Sequence, residues 1–222
     1  MAQVYAVIYD EQGNFLVAKK NANGYFSNTN NGSIVKEGQP ITGAEGYCFP
    51  GGKLEGADRV AGALREFLED TNVSLNPTVF TPTPSSSYNS DGDYHGVYFK
   101  TPKDKTLYQL SDIAGFVNQT LKMGADAAQD IQGSFDGDYD ALMQKYPYCP
   151  GDNELASCEV VNVNDISKYF QDGDPYTGRF YTMIMNLVTK KVITVDNQPP
   201  ADGQPPANDP AVVDDNAVVA EN

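Results

Sequence analysis

The sequence predicts an α+β fold, and three observations predict it. Short runs rich in Val, Ile and Tyr are set apart by polar, glycine-bearing turns. Segments with apolar residues at helical spacing fall between those runs. The chain has 222 residues, 40% of them hydrophobic and 11% aromatic, enough for one substantial core.

Residues 3–9 and 15–18 read as two strands joined by the polar turn Asp10-Glu11-Gln12-Gly13-Asn14. Residues 21–46 are rich in Asn and Gly and read as a long loop with one short strand at 33–35. A loop of that length inside a compact domain points either to a functional role or to a mobile surface excursion. A helix is expected over 58–71, with Asp58 as N-cap and Val60, Leu64 and Phe67 as the stripe facing a sheet. Residues 73–80 and 93–100 read as strands, with a Pro/Ser turn region at 81–91 between them. Residues 101–150 look like a helical insertion. Leu110, Ile113, Phe116, Val117 and Leu121 mark a helix capped near Ser111, and a second helix spans 139–145, ending before Pro147. A strand at 155–163, a helical turn at 166–170 and a helix at 178–189 complete the domain, taken as residues 1–195. From Asp196 the chain turns acidic and proline-rich, with Gln198-Pro199-Pro200-Ala201 recurring as Gln204-Pro205-Pro206-Ala207. Such a tail buries too little apolar surface to offset its ordering entropy, so 196–222 is expected to be disordered.

A net charge of −15 argues against a nucleic-acid surface, which would be basic, but not against a nucleotide whose phosphates are neutralised locally. Cys48, Cys149 and Cys158 form no CxxC pair, which argues against a zinc site or a disulfide framework and for buried thiols. His95 is the only histidine, and on a strand it reads as a packed or surface residue rather than a catalytic base. No Gly-x-Ser-x-Gly elbow and no phosphate-binding Gly-x4-Gly-Lys-Ser/Thr loop occurs. The N-terminus lacks the pattern of a signal peptide, and no segment approaches the ~20 apolar residues of a membrane span. A soluble, cytoplasmic protein is the default expectation.

The chemistry concentrates in residues 49–73. Glu66, Glu69 and Asp70 stand at i, i+3 and i+4, which puts three carboxylates on one helical face. On a surface helix this is merely a solvated face. Behind the glycine turn Phe49-Pro50-Gly51-Gly52-Lys53-Leu54-Glu55, the like charges call for a cation, and oxygen ligands suit Mg²⁺ or Mn²⁺.

This stretch resembles the Nudix box, the signature of hydrolases that cleave a nucleoside diphosphate linked to another moiety. The family pattern is Gly, five residues, Glu, seven residues, Arg-Glu, an apolar residue, any residue, Glu-Glu, any residue, Gly and an apolar residue. Arg65, Glu66, Phe67, Glu69 and Val73 match it, Asp70 replaces the second Glu of the pair, and Asn72 stands for Gly. Asn is the next best residue after Gly where a helix ends left-handed. The first Glu of the pattern falls on Ala57 when counted back from Arg65 and on Asp58 when counted forward from Gly52.

The resemblance implies an α-β-α sandwich with a mixed sheet and a metal-dependent cleavage of a pyrophosphate bond in a small-molecule nucleoside diphosphate derivative. It implies metal binding by Glu66, Glu69, Asp70 and the carbonyl of Gly51 or Gly52, with Arg65 orienting Glu66 and its neighbours. It also implies a further carboxylate from a late acidic segment, for which Glu154 is the first candidate and Glu159 the second. Glu55 is placed to act on water or on Lys53. The rival expectation, raised by Ala57, is a Nudix fold that has lost catalysis and serves as a nucleotide-binding or protein-interaction module. Bases are commonly held by aromatic stacking. Tyr25, Phe26, Tyr47 and Tyr88 lie in expected loops, but each also reads as ordinary packing.

Overall fold

Strand β1 (Gln3–Tyr9) organises the molecule, because every residue from Val4 to Tyr9 is buried. The computed structural model describes residues 2–28, 32–84, 94–103 and 108–193. The acidic tail and part of the expected 81–91 turn region therefore lie outside the described residues.

The main sheet has seven strands: β1, β2 (Asn14–Lys20), β5 (Tyr47–Cys48), β6 (Gly51–Lys53), β7 (Pro82–Pro84), β8 (Tyr94–Lys100) and β9 (Leu155–Asn162). β1 runs parallel to β8 along its whole length, while its other pairings are antiparallel, so the sheet is mixed. β1 and β2 pair only at Tyr9 and Phe15 beside their turn and then diverge. β6 pairs with the freed end of β1, and β5 with the freed end of β2. Residues 47–53 thus cross a split in the sheet.

Alternation along β1 sends neighbouring side chains to opposite faces. Val4 lies under Gly62 of helix α1 (Arg59–Thr71), whereas the Tyr5 ring meets Phe180 of helix α4 (Gly178–Thr189) edge to face at 5.0 Å. Helix α2 (Leu110–Gly133) lies beside α1, its Thr120 hydroxyl bonded to the carbonyl of Thr71, and is fixed to β9 by Asn118. The Asn118 amide exchanges two bonds with the backbone of Cys158, at 2.7 and 2.8 Å. Helices on both faces make the expected α-β-α sandwich.

The N-terminus of α1 is as expected. Asp58 accepts the N–H groups of Val60 and Ala61, and Asn72 closes the helix in the left-handed region with φ 52°. Its buried face differs from the expected stripe. Ala63, Glu66, Phe67 and Asp70 point inward, while Val60 and Leu64 are only partly covered. Two carboxylates therefore enter the interior beside the apolar face.

Other differences have local causes. Residues 73–80 form turns rather than a strand, because the Asn76 side chain caps Thr78 and its carbonyl accepts from Val79 and Phe80. The strand there is the short β7, whose prolines sit at the sheet edge where a missing N–H is tolerated. The expected loop 21–46 contains a hairpin, β3 (Asn23–Ser27) with β4 (Ser33–Pro40). It forms because Phe26 buries itself against Ala127, Ala128 and Ile131 of α2 and Leu142 of helix α3 (Tyr139–Lys145). Helix α2 begins at Gln109 without a side-chain cap, so Ser111 is not its N-cap. Its first half packs in the main core through Leu110, Ile113, Val117 and Leu121, so this part of 101–150 belongs to the body of the fold. A 3-10 turn over Val163–Lys168 replaces the expected helical turn at 166–170.

Cys48, Cys149 and Cys158 are buried free thiols, and His95 is buried on β8. Among the described residues, no helix is long and apolar enough to cross a membrane.

Candidate functional site

Where the sheet splits, a cleft of about 780 Å³ opens, walled by residues 42–44, 46–49 and 51–53, Lys20, Glu154, Asp70 and the start of α4. Backbone strands fix its floor. The crossing segment is held by the bond from Ala6 N–H to the Pro50 carbonyl, and glycine is needed at its turn. A Cβ on Gly51 would collide with the Val4 carbonyl, and one on Gly52 would overlap the Glu66 carboxylate. The two glycines are what let the turn lie flat against β1 on one side and against α1 on the other.

The structure brings Arg65, Glu66, Glu69 and Asp70 together beside this cleft, and of these four Asp70 lines it. Asp70 is buried and accepts the Gly51 N–H at 2.8 Å. Burial raises its pKa well above the usual carboxylate range, and the charges of Glu154, Glu66 and Asp152 add to that rise. Glu66 is buried against Gly52, and desolvation pushes its pKa up to about 7 against the pull of Arg65. Arg65 is the cation among the carboxylates. One Nη donates to Glu69 at 2.7 Å, while the other reaches Glu66 and donates to the Lys53 carbonyl at 2.8 Å. One guanidinium thus ties the helix to the strand that leaves the glycine turn.

Asp58 does not join this group. Its Oδ1 carries both cap bonds, and the residue is exposed at the helix start. Ala57 and Glu55 are likewise exposed. On the count from Gly52, the acidic residue at the place of the pattern's first Glu serves as the helix cap.

Glu154 lines the cleft and pairs with Lys20 at 3.2 Å. Glu159 is exposed on β9, bonded by the Tyr169 hydroxyl at 3.2 Å, and lies outside the cleft lining. Sequence reasoning missed Asp152. Its Oδ1 accepts the Asn28 N–H at 2.6 Å, and its own N–H, like that of Gly151, donates to the Glu69 carbonyl. Burial raises its pKa to about 6, with Glu154 and Glu69 adding to the rise. It stands beside Glu154 in a smaller hollow of about 300 Å³ that shares Lys20 and Thr42 with the main cleft. The only signal in the sequence was its place in Gly151-Asp152-Asn153-Glu154.

Of the aromatic residues in expected loops, Tyr47 lines the cleft, Phe26 lines the smaller hollow, Tyr25 packs on the satellite core, and Tyr88 lies outside the described residues. Among the described residues, no three His, Cys, Asp or Glu side chains converge closely enough to hold a metal ion as they stand. In chemistry the residues fit a hard cation: the negative charges of Glu154, Glu66 and Asp152 all act on the buried Asp70, and all four offer oxygen ligands. In spacing, the carboxylates of Glu66 and Glu69 are drawn onto Arg65, so a cation would have to share them with it.

No family model matches the sequence, and no curated protein does. The structure is similar to solved Nudix and MutT proteins. A MutT protein from Methanosarcina mazei Go1 matches with TM-score 0.39 and 16% identity over 86% of this chain and 95% of that chain. A NUDIX hydrolase from Nitrosomonas europaea gives 0.35 and 15% over 83% and 88%, and a C. elegans Ap4A hydrolase gives 0.37 and 13% over 86% and 96%. At these scores the likeness assigns no role to any residue.

Proposed function

We propose that the chain is a metal-dependent, Nudix-type hydrolase that cleaves the pyrophosphate bond of a nucleoside diphosphate linked to another moiety. The observation that carries this reading is the packing of two buried carboxylates, Glu66 and Asp70, directly against the Gly51-Gly52 turn at the edge of a large cleft. A helix face meant only for solvent would not bury them.

Glu66, Glu69, Asp70 and the Gly51 carbonyl are the groups that would hold Mg²⁺ or Mn²⁺. When bound, the ion supplies charge neutralisation at the phosphates and a more acidic water. Asp70 is held in place by the Gly51 N–H, and Arg65 positions Glu66 and Glu69. Water adds to one phosphorus, the bridging P–O bond breaks, and the other phosphate leaves with its electron pair. The proton released by the water passes to a carboxylate. Asp152 suits this role because its pKa of about 6 lies near neutrality, with Glu154 the other candidate.

The test is phosphate release from a panel of nucleoside diphosphate derivatives during a Mg²⁺ titration. Turnover that needs the ion and falls about 100-fold in Glu69→Gln supports the hydrolase. A second reading, a binding module without catalysis, is favoured by the commitment of Asp58 to the helix cap. Tight nucleotide binding without turnover at any Mg²⁺ concentration would select it.

A further inference from the structure

The same cleft has a second wall that the carboxylates do not explain. Arg179, in the first turn of α4, projects among three aromatic rings. Its guanidinium carbon stands 4.7 Å from the ring centroids of Tyr94 and Phe180 and 5.7 Å from that of Tyr5. Among the described residues it has no carboxylate within ion-pair distance, and its Nε is buried without a hydrogen-bond partner. The nearby Asp174 is already committed, accepting the N–H groups of Tyr176 and Thr177 and the Thr177 hydroxyl. In a chain of net charge −15, an arginine left without an acidic partner beside a cleft has a ligand-shaped deficit.

Lys20 borders the same cleft at the end of β2, and both cations act on the buried thiol of Cys48 between them. Lys20 pairs with Glu154, whose side chain is 42% exposed, at 3.2 Å. The ring contacts strip water from the guanidinium, and with its Nε buried and unpartnered its donating edge is prearranged for a planar or tetrahedral oxyanion. Asp70 enters the cleft from α1, and Arg179 enters it from α4 on the other face of the sheet. A ligand spanning both would meet oxygen ligands at one end and a cation at the other.

We propose that Arg179, assisted by Lys20, forms an anion subsite in this cleft that takes a phosphoryl group of the ligand other than the one attacked by water. Which of the ligand's phosphoryl groups is seated there rests on the hydrolase reading. The subsite itself does not require turnover.

Binding of inorganic pyrophosphate in EDTA at low salt, followed by calorimetry, isolates the subsite from any metal. Wild-type protein binds it, Arg179→Met weakens binding about tenfold, and Arg179→Lys recovers part of the loss because charge returns without the fork. Tyr94→Leu, which removes one wall and keeps the charge, weakens binding about threefold. Should Arg179→Met fail to fold, the Arg179→Lys and Tyr94→Leu affinities decide the matter. Wild-type protein that does not bind pyrophosphate, or variants that bind it as well as wild type, overturn the proposal. Failure of the hydrolase reading looks different: no phosphate is released with Mg²⁺, yet the affinity difference between wild type and Arg179→Met persists.

Discussion

The α1 and α4 walls of the cleft place charge by opposite means. On α1, carboxylates are drawn from consecutive turns of one helix and are held by polar partners, namely a backbone N–H for Asp70 and a shared guanidinium for Glu66 and Glu69. On α4, one guanidinium is held by the faces of rings from β1, β8 and α4. The acidic wall is a local device, since the spacing of a helix alone brings its members together. The cationic wall is a tertiary device that exists only once β1 and β8 lie side by side.

This contrast can be broken from either end. The largest effect is expected from Glu66→Gln, which keeps the contact with Arg65 but removes the charge. Mg²⁺-dependent phosphate release should fall about 100-fold while pyrophosphate affinity in EDTA stays within about twofold. A parallel loss of that affinity would mean that the two walls do not act separately. Next comes Gly52→Ala. The added methyl overlaps the Glu66 carboxylate, and a loss of about 1–3 kcal/mol in urea unfolding is expected, together with lost turnover.

The two walls also answer differently to pH. The Glu66 pKa is raised by folding from 4.5 to about 7, so its contribution is most favourable when both states are protonated, below pH 4.5. Metal-free protein should therefore lose stability as the pH rises from about 4.5 to about 7. The slope should flatten in Glu66→Gln, while Arg179→Met leaves it unchanged. A stability that is level across that window would remove the case for a strained acidic wall. The smallest effect is expected from Asp58→Ala, which costs about 1 kcal/mol through the lost helix cap and leaves turnover intact. A large fall in turnover would instead return Asp58 to the site.

The same contrast explains what was legible in the chain. The limits of α1, its left-handed end at Asn72 and the inward glycine turn follow from short-range rules, and so did Tyr139–Lys145 and β8. The inward rotation of Glu66 and Asp70 was not legible, because apolar spacing alone aims Val60 and Leu64 at the sheet. Residues 73–80 misled because Val73, Leu75, Val79 and Phe80 have strand character, while the capping by Asn76 that overrides it is a side-chain effect. The hairpin of β3 and β4 depends on Phe26 meeting α2 a hundred residues later. Asp152 owes its environment to Asn28 and to the end of α1, neither of which is near it in sequence.

The segment 151–153 is stitched on two sides. Gly151 and Asp152 donate to the Glu69 carbonyl of α1, and Asn153 donates to the Phe26 carbonyl of the hairpin. The Tyr139 hydroxyl of α3 also bonds the Gly151 carbonyl at 3.0 Å. These few residues act as a keystone between the sandwich and its satellite core. Sequence drift in a hairpin that need never touch a ligand would move Asp152 and change its burial, and so retune the acidity at which that carboxyl takes up its proton.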